Sequence, residues 1–225
     1  MMDSRISETK GWPFFVYALL AFACLGIELL LALLLEPLVY GCPMNEWSAA
    51  QNISHWVITS LCWGLVSFLL VKSAKLKYGF DLLARQERIK PWQWAVIAVL
   101  FALMMVWSWI DWNGSKVLKE FRYNGWLKFI FQYIYYVFEA GLMFLIIAFG
   151  QKAFENWFHK GRSVLIPWGG LLLGLTWGLA HIFTKSSLVA GLSMLAGGIV
   201  YGLVYLLANR DARKVYPLIF LIFVL

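Results

Sequence analysis

Charge is what this sequence has least of. Asp, Glu, Lys and Arg make up 14% of the 225 residues while hydrophobic side chains make up 62%, against about 25% charged and about 45–50% apolar residues in ordinary soluble domains. With a mean hydropathy of +0.72, the chain has too little polar surface to cover a water-soluble globule, and the soluble classes are excluded. Cysteine is scarce as well. Cys24, Cys42 and Cys62 are scattered, and Cys24 and Cys62 fall inside apolar runs, so no disulfide framework is written here. The apolar runs are long and continuous, not alternating, which favours helices over a β-barrel as the backbone that satisfies its own polar groups in a bilayer. Internal repeats, low-complexity tracts and polar linkers are also missing, and a single membrane domain over residues 1–225 is the economical reading.

What is present is a series of runs near the length of about 20 residues that a bilayer crossing requires. They predict an all-α polytopic transmembrane bundle of six full spans: Trp12 to Leu38, Ile53 to Val71, Trp92 to Trp112, Ile130 to Phe149, Val164 to Thr184 and Leu188 to Asn209. A short C-terminal hydrophobic helix, Val215 to Leu225, follows. Pro13, Pro37, Pro91, Pro167 and Pro217 are expected at span ends. The stretch Lys116 to Lys128 mixes apolar and basic residues in the manner of a short amphipathic helix lying along an interface.

The net charge of +7 points to membrane lipid headgroups and not to nucleic acid, because the basic residues sit in short loops between spans. With the N-terminus inside, fourteen of the nineteen Lys and Arg residues fall on the inner side. That distribution predicts a multi-pass membrane protein with a cytoplasmic N-terminus.

Ionisable residues within spans are costly and face the bundle interior when they are kept. Four fall there: Glu28, Asp111, Glu139 and His181. Asp111, between Trp109 and Trp112, reads as interfacial, and Glu28 as a structural group paired with a basic or hydroxyl partner on another helix. Gln132, Tyr135, Tyr136 and Glu139 fall on one helical face at separations of seven, four and three. Gly170, Gly174 and Gly178 form a ladder of small residues, which His181 continues; such ladders admit close helix packing. The next span offers Gly198, Tyr201, Gly202, Tyr205 and Asn209. A buried Glu and a buried His on successive spans, with tyrosines and an Asn on the third, could form a general base and its partner around a water molecule. The alternative at each position is a hydrogen-bonded packing seam.

The order of these groups resembles the CPBP family of intramembrane proteases, which includes the type II CAAX prenyl endopeptidases and the bacteriocin-processing, Abi-like members. Phe138-Glu139-Ala140-Gly141 is similar to the family's first motif. Trp177-Gly178-Leu179-Ala180-His181 resembles its Phe-x-x-x-His with Trp for Phe, the segment from Gly198 to Tyr205 resembles its Gly-rich span, and Tyr216-Pro217-Leu218-Ile219 resembles the start of its last helix. The resemblance covers residues 130–225, with 1–129 as variable N-terminal spans. It implies that Glu139 and His181 are the catalytic pair and that Gln132, Tyr135, Tyr136, Trp177, Tyr201, Tyr205 and Asn209 shape the pocket. It further implies a membrane-associated peptide or protein partner and, in an active member, a divalent metal such as zinc. The paired glutamates of the family are reduced here to one, its Arg position holds Met143 or Phe144, and its last His position holds Leu221. One Glu and one His do not make a metal site. The expectation is a catalytically degenerate family member that binds a partner, with an active glutamate-dependent endopeptidase as the alternative. A transporter or channel component is the third reading, and it would call for broken helices or inverted repeats.

Overall fold

The computed structural model of the protein describes residues 11–184 and 186–225. It is 82% helix, with no strand among the described residues. The chain runs as α1 (Trp12–Tyr40), α2 (Ala49–Tyr78), α3 (Pro91–Asp111), α4 (Lys116–His159), α5 (Trp168–Phe183), α6 (Leu188–Leu207) and α7 (Ala212–Val224). Five of these, α1 to α4 and α6, are long and apolar enough to cross a membrane. The expected span from Val164 to Thr184 is a shorter apolar helix, because Pro167 starts it late. At 1.5 Å per residue α5 extends about 24 Å, less than the roughly 30 Å of a hydrocarbon core.

Local chemistry sets the helix ends. Ser48 and Gln51 form a reciprocal capping box at the start of α2, and Gly79 closes it in the left-handed conformation. Asp211 caps α7 through the Arg213 amide. Pro13 and Pro91 lie in first turns, where a missing N–H costs nothing. Pro37 and Pro217 do not mark ends. Pro37 lies inside α1, directly after a π-helical turn at Leu31–Leu35; the widened turn accommodates a ring that can neither donate nor approach the carbonyl four residues back. Pro217 sits within α7.

α4 forms the axis of the bundle. Residues 142–150 are buried on every side, and α1, α2, α5 and α7 pack around them. Outward-facing Leu29, Leu30, Leu33 and Leu34 of α1 are exposed, as expected of side chains whose solvent is lipid. The left-handed Gly125 interrupts α4, with φ 68°. Residues 116–124 fold back along the segment that follows: Phe121 meets Phe129 at 5.4 Å, and Asn124 donates to Gln132 at 2.7 Å. The amphipathic stretch is thus one arm of a helical hairpin.

The glycine ladder of α5 lies against that of α6. A Cβ on Gly170 would fall onto Gly198 O and within 2.8 Å of Gly202 Cα, and one on Gly198 would come within 2.7 Å of Gly174 N. Only hydrogen fits between these backbones. A second π-helical turn, Gly174–Gly178, follows, where the Thr176 hydroxyl donates to Leu172 O at 2.7 Å and competes with the helical ladder.

Candidate functional site around Glu139

Three helices supply a polar group at one level. Glu139 comes from the middle of α4. Trp177, from the π-helical turn of α5, lies beside its carboxyl. Glu28, from α1, lies close enough to Glu139 to interact with it electrostatically, as does Lys116 from the hairpin arm. The Tyr135 hydroxyl lies beside Glu28. Tyr201 of α6 is buried and stands near Glu139.

His181 reaches this group by way of Trp177. Its ring lies 4.4 Å from the Trp177 ring, and its Nδ1 is 2.8 Å from the Trp177 carbonyl oxygen one turn earlier. That carbonyl can only accept, so Nδ1 carries the proton and donates.

The face Gln132, Tyr135, Tyr136 and Glu139 divides between two neighbours. Tyr135 turns to Glu28, whereas Gln132 donates to the Tyr136 hydroxyl at 2.8 Å and that hydroxyl donates to Glu120 at 2.8 Å. Tyr133 donates to the same carboxylate at 3.0 Å. Glu120 is buried by these partners. Lys116, also buried, donates to Phe223 O at 2.7 Å and lies 5.0 Å over the Tyr136 ring. The sequence reading passed over Glu120 and Lys116 because they precede the apparent span; the Gly125 turn is what folds them onto it.

Tyr205 and Asn209 stand elsewhere. They belong to the end of α6, where Asn209 accepts from Gln93 at 2.8 Å and donates to Arg88 O at 3.1 Å. Tyr205 faces a cavity with Glu155 and Arg210. Glu155 is sixteen residues beyond Glu139 along α4, or about 24 Å at 1.5 Å per residue. Helical spacing holds for Tyr201 and Tyr205, but α6 ends at Leu207 and Asn209 lies beyond it in a left-handed conformation, so it does not continue that face. At Glu155, Oε1 accepts from Arg210 Nη2 at 2.7 Å, Gln151 Nε2 at 2.9 Å and Val164 N at 3.2 Å.

Near the other end, buried Glu36 and His55 join α1 to α2 at 2.6 Å. Among the described residues no group of three His, Cys, Asp or Glu side chains could hold a metal ion. The donors around Glu139 are Trp, Tyr and Lys, and among the described residues the groups there that could act as ligands are two carboxylates and the His181 imidazole. This donor set does not fit a zinc centre.

The chain matches no protein-family model, no curated protein and no solved structure.

Proposed function

We propose that the protein is a multi-pass membrane protein of CPBP-like character that holds a membrane-associated peptide or protein partner at the Glu139 site without cleaving it. The observation that carries this reading is that Trp177 stands between the two groups: its side chain lies beside the Glu139 carboxyl, and its main-chain carbonyl accepts from His181 Nδ1. A water-activating base needs a water within hydrogen-bond reach and a partner that receives or steadies the proton. Here an indole lies against the base. The same indole, together with Lys116, Glu28 and Tyr201, offers a partner segment an amphipathic surface that is polar within an apolar wall. In this reading the N-terminus is cytoplasmic, the membrane a bacterial plasma membrane and the site nearer its outer side, an orientation the Lys and Arg distribution favours.

A second reading draws on Glu28. The family motif has two adjacent glutamates, and in this fold α1 brings a second carboxylate to Glu139 in space where the sequence has only one. Glu139 would then take a proton from water as its oxygen attacks a peptide carbonyl, and would return that proton to the departing amine. One assay separates the two readings: incubation of the protein in liposomes with a library of membrane-tethered peptides, for wild type, Glu139→Gln and His181→Ala. Peptides retained intact by the wild type, with retention weakened by Glu139→Gln, support the binding function. Cleaved peptides that disappear with both substitutions would replace it with the endopeptidase.

A further inference from the structure

The second polar site lies at the Arg210 end of the bundle and is independent of the Glu139 reading. A cavity of about 190 Å³ opens there between α4, α6 and the turn after α4, lined among others by Gln151, Lys152, Glu155, Ser163, Tyr205 and Arg210. Its charge is not balanced. Glu155 is already committed to Arg210 in a 2.7 Å ion pair and to two further donors. Lys152 adds a second cation to the lining, in which Glu155 is the one carboxylate among the described residues. Arg210 Nε is buried and has no hydrogen-bond partner among the described residues, although Nη2 of the same guanidinium is doubly used, by Glu155 and by Val164 O. A buried N–H of a charged group left unsatisfied costs more than one kept in water, so such a donor marks a missing acceptor.

The backbone that presents Arg210 is strained for this purpose. Asn209 and Arg210 both adopt left-handed conformations, with φ 56° and 61°, and neither is glycine. Asn209 holds that turn through Gln93 and the carbonyls of Glu87 and Arg88. Unfavourable φ values persist where the surroundings impose them, often at binding sites.

The position of the cavity along the bundle indicates the acceptor. Trp12, Trp157 and Trp168 cluster at this same end, with Trp12 and Trp157 rings 6.4 Å apart and Trp168 stacked on Phe154 at 5.5 Å. Such aromatic groups sit at the headgroup level of a bilayer. We propose that this cavity binds the phosphate of an anionic phospholipid headgroup, with Arg210 Nε–H and the Lys152 ammonium as donors to its oxygens and the Ser163 and Tyr205 hydroxyls beside them. Arg and Lys are suited to phosphate oxygens, and basic pockets between transmembrane helices hold anionic headgroups.

The test uses the full-length protein in a neutral detergent and reads its thermal unfolding against added phosphatidylglycerol, a diacylglycerol without phosphate, and inorganic phosphate. Phosphatidylglycerol should raise Tm in a saturable way and diacylglycerol should not. Lys152→Gln, which leaves the Glu155–Arg210 pair intact, should weaken the apparent affinity about tenfold, the loss of one charge-assisted hydrogen bond. Tyr205→Phe provides a second variant that keeps the packing and should weaken it less. Equal shifts from phosphatidylglycerol and diacylglycerol, or an unchanged affinity in Lys152→Gln, would overturn the site. A shift with inorganic phosphate and none with lipid would overturn the headgroup as its source.

Discussion

Single residues carry much of the stability because so few of them are polar. Glu36 and His55 are 5% and 2% exposed, and their 2.6 Å contact ties α1 to α2. Removal of one member of a buried pair strands the other. His55→Ala is expected to destabilise the protein by about 3 kcal/mol, whereas the double change Glu36→Leu with His55→Leu should recover most of that loss; denaturant unfolding in mixed micelles measures both. Asp211 gives a pH signature. Burial raises its carboxyl, but hydrogen bonds from the Arg213 and Lys214 side chains and the Arg213 amide outweigh this and hold it below the usual carboxylate range. As pH falls, the unfolded chain therefore takes up the proton first. The Asp211 contribution is complete above about pH 4 and fades as pH drops through the lower folded value. Asp211→Asn should lower stability across the neutral region, flatten the acid limb of the stability–pH profile and converge with wild type below the folded value. Residue identity made Glu28, Glu139 and His181 legible as interior groups, since nothing else excuses a charge among leucines. The sequence could not reveal that Glu139 faces Trp177, or that Tyr135 turns to Glu28 while Tyr136 turns to Glu120, because helical spacing assigns a face and not a neighbour.

At the scale of elements, period and length did most of the work. The apolar runs located α1, α3 and α6 to within a few residues but fell short of α2 by seven residues at its end and of α4 by 14 and 10 at its two ends, and both the Gly170–Gly174–Gly178 ladder and the Gly198–Gly202 face were visible in the sequence. Two features escaped. The hairpin at Gly125 depends on a left-handed glycine that looks like any other in the sequence, and the interior position of Pro217 in α7 reads locally as a helix start. The ladder makes a sharp prediction. A methyl group at Gly170 collides with the α6 backbone, whereas one at Gly197 meets only Met104 Cε at 3.7 Å. Gly170→Ala should cost about 1–3 kcal/mol and lower the yield of folded protein in detergent, while Gly197→Ala should be nearly silent; size-exclusion profiles and thermal unfolding of the two variants compare them directly.

For the whole molecule, the bundle places polar groups at separate levels: Glu139 with Glu28, Lys116 and Trp177 at one, and Glu155 with Arg210, Lys152 and Tyr205 about 24 Å away along α4. The first level depends on three helices, distant in sequence, meeting at a single carboxyl group. A double-mutant cycle between Glu139→Leu on α4 and Trp177→Phe on α5, read by reversible unfolding in mixed micelles, tests that meeting most directly. A coupling of about 1 kcal/mol or more is predicted, in the upper part of the range found for interhelical hydrogen bonds in membranes; additivity within about 0.5 kcal/mol would contradict the account.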